Sequence, residues 1–274
     1  MYLGEQKSEP LVSIITIAYN SATNIEATIK SVLAQTYPHI EYIVIDGGST
    51  DGTADIIGSY ANQIKYWVSE KDRGISHAFN KGLAKASGEI IGLLNASDIY
   101  MPDTITIAVN ALQDADIAYG DLRYEKKGDF IFTQKGDHRL LKKEMSVNHP
   151  TVFIKSKWYK EYGCFDEQLR CAMDYDLLLR FYLKGAAFVN TNKQMAVMSL
   201  DGMSDANWLL GCRETLRIKN KYIPQAKLMH QLYFIKHTSA ISISRLLNRL
   251  GMGSLLKYYR SRFAALRKSY DLPK

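Results

Sequence analysis

Four polar stretches, each following a short apolar run, gather the residues able to do chemistry: Tyr19-Asn20, then Asp46 with Ser49 and Asp51, then Glu70-Lys71-Asp72-Arg73-Gly74, then Asn95-Ala96-Ser97-Asp98. Neither G-x-G-x-x-G nor G-x-x-x-x-G-K-[ST] occurs, so the glycine-rich cradles of dinucleotide and P-loop sites are missing. Carboxylates dominate instead. Acids so placed suit a nucleotide held by hydrogen bonds to base and ribose, with its diphosphate neutralised by a divalent metal on oxygen ligands. Further along, Asp174 and Asp176 open an amphipathic stretch. Residues two apart on a helix project to different faces, so one of this pair can line a cleft while the other is structural. An acid in a first helical turn is also favoured by the macrodipole alone, by about 0.3–1 kcal/mol. Asp51 reads as a turn-former bonded to its own loop, and His149 is restrained to extended backbone by Pro150.

Apolar runs supply the frame that must position these groups. Leu11 to Ile17 is short, β-branched and nearly uninterrupted, the pattern of a strand buried on both faces. Ile25, Ile29, Val32 and Leu33 then recur at helical spacing and the segment closes before Pro38. Strands are expected at 42–45, 64–68, 89–94 and 117–119, with helices at 75–86 and 102–112 and a short one around Ile56 and Ile57. Such alternation predicts a mostly parallel sheet flanked by helices, with ligands outside the carboxyl ends of the strands. The four polar stretches fall there. Beyond Asp121 the alternation breaks into an expected hairpin over 124–134 around Gly128, a strand at 151–154, a helix at 174–183 and a strand at 187–190.

Composition narrows the class. With 46% apolar and 23% charged residues over 274 positions, the chain is an ordinary folded protein, not a disordered, collagen-like or disulfide-scaffold one. Its longest uncharged window, residues 10–25, is too short and too polar for a membrane span. The start carries no basic-then-apolar signal pattern, which leads to the expectation of a cytoplasmic protein. Cys164, Cys171 and Cys212 lack C-x-x-C spacing and are read as buried thiols. The net charge of +7 is unevenly placed: residues 224–274 hold ten bases and one acid, whereas the rest carries 25 bases and 27 acids. In that basic segment Leu246, Leu247, Leu250, Leu255, Leu256, Tyr259, Phe263 and Leu266 keep helical spacing, broken at Gly251 and Gly253. A basic amphipathic helix pair can lie on an anionic membrane surface, or pack on the body with its charges solvated. Both readings stay open. Nucleic acid is set aside because no binding module accompanies the charge.

The sequence resembles the family 2 inverting glycosyltransferases of the GT-A fold, the type found in bacterial surface-polysaccharide synthesis. The resemblance rests on Val12 to Asn20, Ser31 to Tyr37, Ile45 to Thr53 and Gly88 to Asp98, and extends through His149-Pro150, Gly163 to Asp166 and Met173 to Arg180. It implies a Rossmann-like sheet flanked by helices as a catalytic domain over 1–203, with a basic helical extension over 204–274. It also implies transfer of a sugar, with inversion, from a nucleoside-diphosphate donor, uridine being favoured, to a hydroxyl of a growing glycan; the basic segment favours a lipid-anchored acceptor such as a polyprenyl-diphosphate-linked saccharide. Carried over residue by residue, Thr16, Ala18, Tyr19, Asn20, Asp46, Asp72, Arg73, Asn80, Asn95 and Ala96 bind the nucleotide sugar. Asp174 is the general base, with His149 and Asp176 on the acceptor side.

Two positions depart from the family pattern. Gly47 stands where a second acid is usual, and Ser97 stands where the family has its metal-binding aspartate. Serine is a poor ligand for Mn²⁺ or Mg²⁺, so Asp98 is expected to hold the metal, directly or through water. The rival readings are a non-catalytic or inactive GT-A nucleotide-sugar binder, and a nucleotidyltransferase, whose glycine-rich first loop is not present here. A peripheral place on the inner face of the cell membrane and a homo-oligomeric assembly complete the expectations.

Overall fold

The computed structural model describes residues 9–200, 207–252, 270 and 271. β1 (Val12–Ala18) is buried along its whole length. α1 (Ile25–Leu33) turns Ile25, Thr28, Ile29 and Val32 inward at three- and four-residue spacing. β2 (Ile40–Asp46), α2 (Thr53–Ser59), β3 (Tyr66–Ser69), α3 (Ile75–Leu83) and β4 (Ile90–Asn95) continue the alternation. β1 pairs in parallel with β2 and with β4, and β2 with β3. The chain therefore winds one way from β1 through β2 to β3, then returns to place β4 on the other side of β1. The crevice at that switch point is where open α/β sheets bind ligands.

The sheet then changes character. β5 (Asp98–Tyr100), α4 (Thr104–Ala111), β6 (Ile117–Lys126), β7 (Asp129–Gln134), β8 (Phe153–Lys155), α5 (Lys157–Tyr162), α6 (Met173–Leu183) and β9 (Phe188–Ser199) follow in order. β8 runs antiparallel to both β4 and β6, and β6 and β7 form the expected hairpin, turning at Lys127 and Gly128 with positive φ. The expected strand at 187–190 is extended to Ser199, because its second half pairs with both β6 and β5. The fold is thus the expected Rossmann-like α/β class, its parallel pairing confined to β3-β2-β1-β4 and to β6 with β9.

Period-two alternation divides the core. Ile15, Ile17, Ile43, Ile45, Ile91 and Leu93 face one cluster with α3, α5 and α6, while Val12, Ile14, Ala18, Val44, Ile90 and Leu94 face the other with α1, α2 and α4. A sheet covered on both faces must read as continuous apolar runs, and it does.

α7 (Trp208–Tyr222), α8 (Lys227–Arg249) and β10 (Tyr270–Asp271) close the described chain. The expected domain boundary at 203 lies outside the described residues, as do 255–266 of the expected helix pair. α7 packs on the body. Its Ile218 is 1% exposed within the first core cluster, so burial against α6 joins it to the body. The thiol expectation is also corrected: Cys164 and Cys171 are exposed, lying in the loop between α5 and α6, and Cys212 is half-buried.

One close approach holds α3 on the sheet. A Cβ at Gly82 would overlap Ile15 Cγ2, a side chain fixed in the core. Gly82→Ala is expected to lower stability by about 1–3 kcal/mol, the usual cost of overpacking, read as a reduced midpoint in denaturant with unchanged slope.

Candidate active site at the carboxyl edge of the parallel strands

The loops after β1, β2, β3 and β4 meet at one edge of the sheet, as parallel pairing requires. Asn20, at φ 47°, adopts the left-handed conformation that asparagine tolerates. Its Oδ1 accepts from the Thr50 N–H at 3.0 Å, and its own N–H donates to Ser49 Oγ at 2.8 Å. Asp51 accepts from the N–H of Ala22 and from both the N–H and hydroxyl of Thr53. The Thr53 hydroxyl is the main reason its carboxyl is held below the ordinary range, and the turn-forming reading of Asp51 fits this geometry.

Asp46 has a different role from the one the resemblance implies. It has no exposed surface, and its oxygens accept from the N–H groups of Gly48 and Ser49 and the hydroxyls of Ser49 and Ser69, at 2.5–3.2 Å. With its oxygens so engaged below the surface, Asp46 shapes the loop. Ser69, at the end of β3, is a member of this cluster that the sequence reading did not single out.

The missing acid at position 47 has a structural counterpart. A Cβ built on Gly47 would lie 2.5 Å from Asp72 Oδ2 and 3.3 Å from the Tyr19 ring. The Asp72 carboxylate, fixed by the Gly74 N–H on Oδ1 at 2.8 Å, therefore occupies the space a side chain at 47 would take, beneath the exposed Tyr19. Glycine here admits an acid from the next loop. Tyr19, Asn20 and Asp72 thus stand together on one wall.

Several other expected nucleotide contacts are spent within the protein. Thr16 is fully buried and accepts from the Tyr42 hydroxyl at 3.0 Å, because its strand position faces the core and not the crevice. Asn80 bridges the backbone of Phe165 in both directions and donates to Glu167, fastening the loop before α6 to α3. Arg73 lies at the rim, exposed and paired with Glu167 at 2.5 Å. Ala18 and Ala96 are buried, the Ala18 carbonyl taking the Gly47 N–H and the Ala96 N–H donating to Ile17. They offer a ligand no free polar group at those atoms.

At the end of β4, Ser97 is exposed. Asp98 has no exposed surface; Oδ2 accepts from Asn95 Nδ2 at 3.0 Å, and Oδ1 is buried without a hydrogen-bond partner. Burial, followed by the nearby Asp174 charge as the last and weaker raising cause, lifts its pKa to about 7 against the opposing hydrogen bonds from Asn95. This corrects the expectation that Asp98 holds the metal: the backbone turn points its carboxyl into the core. Among the described residues no three His, Cys, Asp or Glu gather as a metal site. The residues present do not fit a divalent ion held by the protein at the usual motif.

A second group of polar residues comes from α6 and the turn before β8. His149 Nε2 lies 3.5 Å from Asp174 Oδ1, its ring packed on Phe79, with both side chains partly exposed at 11% and 28%. Asp176, two residues on, is 2% exposed and paired with Arg180 at 3.6 Å and Lys221 at 3.7 Å. Its carboxylate is thus engaged with two cations within the protein. The two-residue spacing separates the pair as helical geometry demands. Glu214, on α7, accepts the N–H groups of Arg170, Cys171 and Ala172 at 2.8–2.9 Å. Those residues enter α6 one turn before Asp174. No local pattern flagged Glu214, which reaches this loop from more than forty positions away.

A pH dependence follows from Asp98. Its folded pKa is raised above that of the unfolded chain, so the stability it contributes is complete below about pH 4 and lost as pH rises through about 7. Asp98→Asn removes that loss while keeping an acceptor for Asn95. In thermal melts the variant is expected to be more stable than the parent at pH 8, with the difference closing by pH 4.

Residues 13–169 match the family described as Glycosyl transferase family 2. An uncharacterized glycosyltransferase of Rickettsia typhi is 36% identical over 187 residues, covering 63% of this chain and 58% of that protein. The chain therefore spans little more than half the length of that relative. The putative teichuronic acid biosynthesis glycosyltransferase TuaG of Bacillus subtilis is 35% identical over 119 residues, 42% of this chain and 47% of its own. Among solved structures, the mannosyltransferase PcManGT of Pyrobaculum calidifontis, in complex with GDP-Man and Mn²⁺, gives a TM-score of 0.65 at 19% identity over 95% of this chain and 85% of that one. TarS 1–349 of S. aureus with UDP-GlcNAc gives 0.60 at 18% identity, over 82% and 70%. At these identities the structures speak to the fold alone, and it is the GT-A fold. With its family match extending over more than half of its length, the chain belongs to glycosyl transferase family 2.

Proposed function

We propose that this protein transfers a sugar from a nucleoside-diphosphate donor to an acceptor hydroxyl with inversion, in the assembly of a surface glycan. The observation that supports the reading is the exposure of two sets of polar residues outside the parallel strands. Tyr19 and Asp72 come together around Gly47, and Asp174, partly exposed, has His149 3.5 Å away. In the displacement the acceptor oxygen bonds to the anomeric carbon as the bond to the diphosphate breaks. The hydroxyl proton passes to Asp174, a general-base step contributing about 10²–10⁴ in rate. His149 Nε2, 3.5 Å from Asp174 Oδ1, is the group beside that carboxylate. The exposed rim cations Lys71 and Arg73 are the groups available to meet the leaving diphosphate; Arg73 exchanges its surface pair with Glu167 at little cost, such pairs contributing about 0–1 kcal/mol.

A uridine donor is the first to try, since TarS is a structural neighbour and has been solved with UDP-GlcNAc and with UDP. The kinship with TuaG supports a surface-polysaccharide acceptor, and a polyprenyl-diphosphate-linked saccharide on the inner face of the membrane satisfies that chemistry. The second reading, a nucleotide-sugar binder without transfer, is favoured by one observation: the exposed Ser97 beside the buried Asp98.

Calorimetry with UDP, GDP and dTDP, and turnover with the matching donor sugars, separates the two. Asp174→Asn is expected to lower donor turnover by about 10²–10⁴ while nucleotide affinity stays within a few-fold. Nucleotide binding with no turnover in the parent would favour the binder. Because position 97 offers no carboxylate, UDP affinity is expected to be indifferent to chelator, and Ser97→Asp to make it rise with Mn²⁺. A parent whose affinity collapses in chelator would return the metal to the site.

A further inference from the structure

α8 carries apolar residues on two opposite faces, and among the described residues only one of them is covered. His230, Tyr233 and His237 turn toward the body: His230 meets Asn220 at 3.1 Å, the Tyr233 hydroxyl donates to Glu144 at 2.8 Å, and His237 stacks on Tyr233. On the far side Leu228, Leu232, Ile235, Ile243, Leu246 and Leu250 are 43–70% exposed. Their spacing, with Ser239 filling the gap, keeps them in one stripe along the helix. At 1.5 Å per residue the stripe is about 33 Å long. A contiguous exposed patch of that kind marks an interaction surface.

Charge identifies the occupant. Lys227, Lys236 and Arg249 are exposed on α8, whereas Arg245 turns its guanidinium onto Trp208 at 5.1 Å. Between Glu214 and Asp271 the sequence holds no acid. A second copy docked on this face would set cation against cation with no carboxylate to pair them. An anionic lipid surface supplies both an apolar layer for the stripe and opposite charge for its margins. Among the described residues no helix is long and apolar enough to cross a membrane, so α8 would lie in the surface plane.

We infer that the outward face of α8, from Leu228 to Leu250, is a docking surface for an anionic membrane. The inference deepens the reading of a lipid-linked acceptor and rests on it only for its purpose: the docking itself is measured without donor or acceptor.

The experiment is co-sedimentation of the full chain with vesicles of phosphatidylcholine alone and of phosphatidylcholine with phosphatidylglycerol. The triple variant Leu232→Gln, Ile235→Gln, Leu246→Gln is run in parallel, with circular dichroism melting as the control for folding. The parent is expected to bind the anionic vesicles, to release them as salt rises, and to bind neutral vesicles at least tenfold more weakly. The variant, folded, is expected to lose at least tenfold in anionic binding. Three results would each overturn the inference: no vesicle binding by the parent, undiminished binding by the folded variant, or a parent dimer that binds no vesicles and falls to monomer in the variant on light scattering. Calorimetry of UDP on the same samples reports separately on the nucleotide site, so failure of the catalytic reading and failure of the docking surface are told apart.

Discussion

A strand buried on both faces cannot carry polar side chains to water along its length, so whatever chemistry it supports must sit at its end. β1 is such a strand, flanked in parallel by β2 and β4 and buried throughout. Parallel pairing aligns the carboxyl ends of β1, β2, β3 and β4, and the reversal of winding at β1 parts the loops that follow them. Tyr19, Gly47, Asp72 and Ser97 share one edge for this reason. The helices on either face exist to cover the sheet, and α3 is brought close enough by Gly82 to hold the start of one wall.

At that edge burial sorts the carboxylates into two kinds. Asp46 and Asp176 are inside and must be satisfied by neighbours: Asp46 by backbone N–H groups and serine hydroxyls, Asp176 by Arg180 and Lys221. Asp98 is inside with no cation beside it, and burial raises its pKa. Asp72 and Asp174 keep partial exposure. An ion pair or hydrogen bond fixes a buried acid in place, and an acid so fixed is poorly free to exchange partners with a substrate. The open acids are the ones available to one.

The C-terminal helices take part in this sorting. Glu214 and Lys221 of α7 reach the entry and first turn of α6, the element that presents Asp174, while α8 packs on α7 with one face and leaves the other open. A single helical arm thereby braces the element that carries Asp174 and, among the described residues, presents an apolar stripe to the outside.

Much of the fold was legible from the residues. Continuous apolar runs and helical spacing located β1, α1, β2, α3, β4 and α6, because each element's period is a local property of the chain. The loops holding polar residues were equally plain, as was the rule that Asp174 and Asp176 could not share a cleft. Which of the two faces it was decided by Arg180 and Lys221, the latter arriving from a distant helix. Likewise, nothing near Gly47 announces that Asp72 fills its place, and nothing near Asp98 announces that its carboxyl turns inward. Sequence fixes periodicity and composition, which depend on neighbours in the chain. The burial of a given carboxylate and the identity of its partner depend on segments brought together only by packing, and it is those that separate an acid that shapes a loop from one that can take a proton.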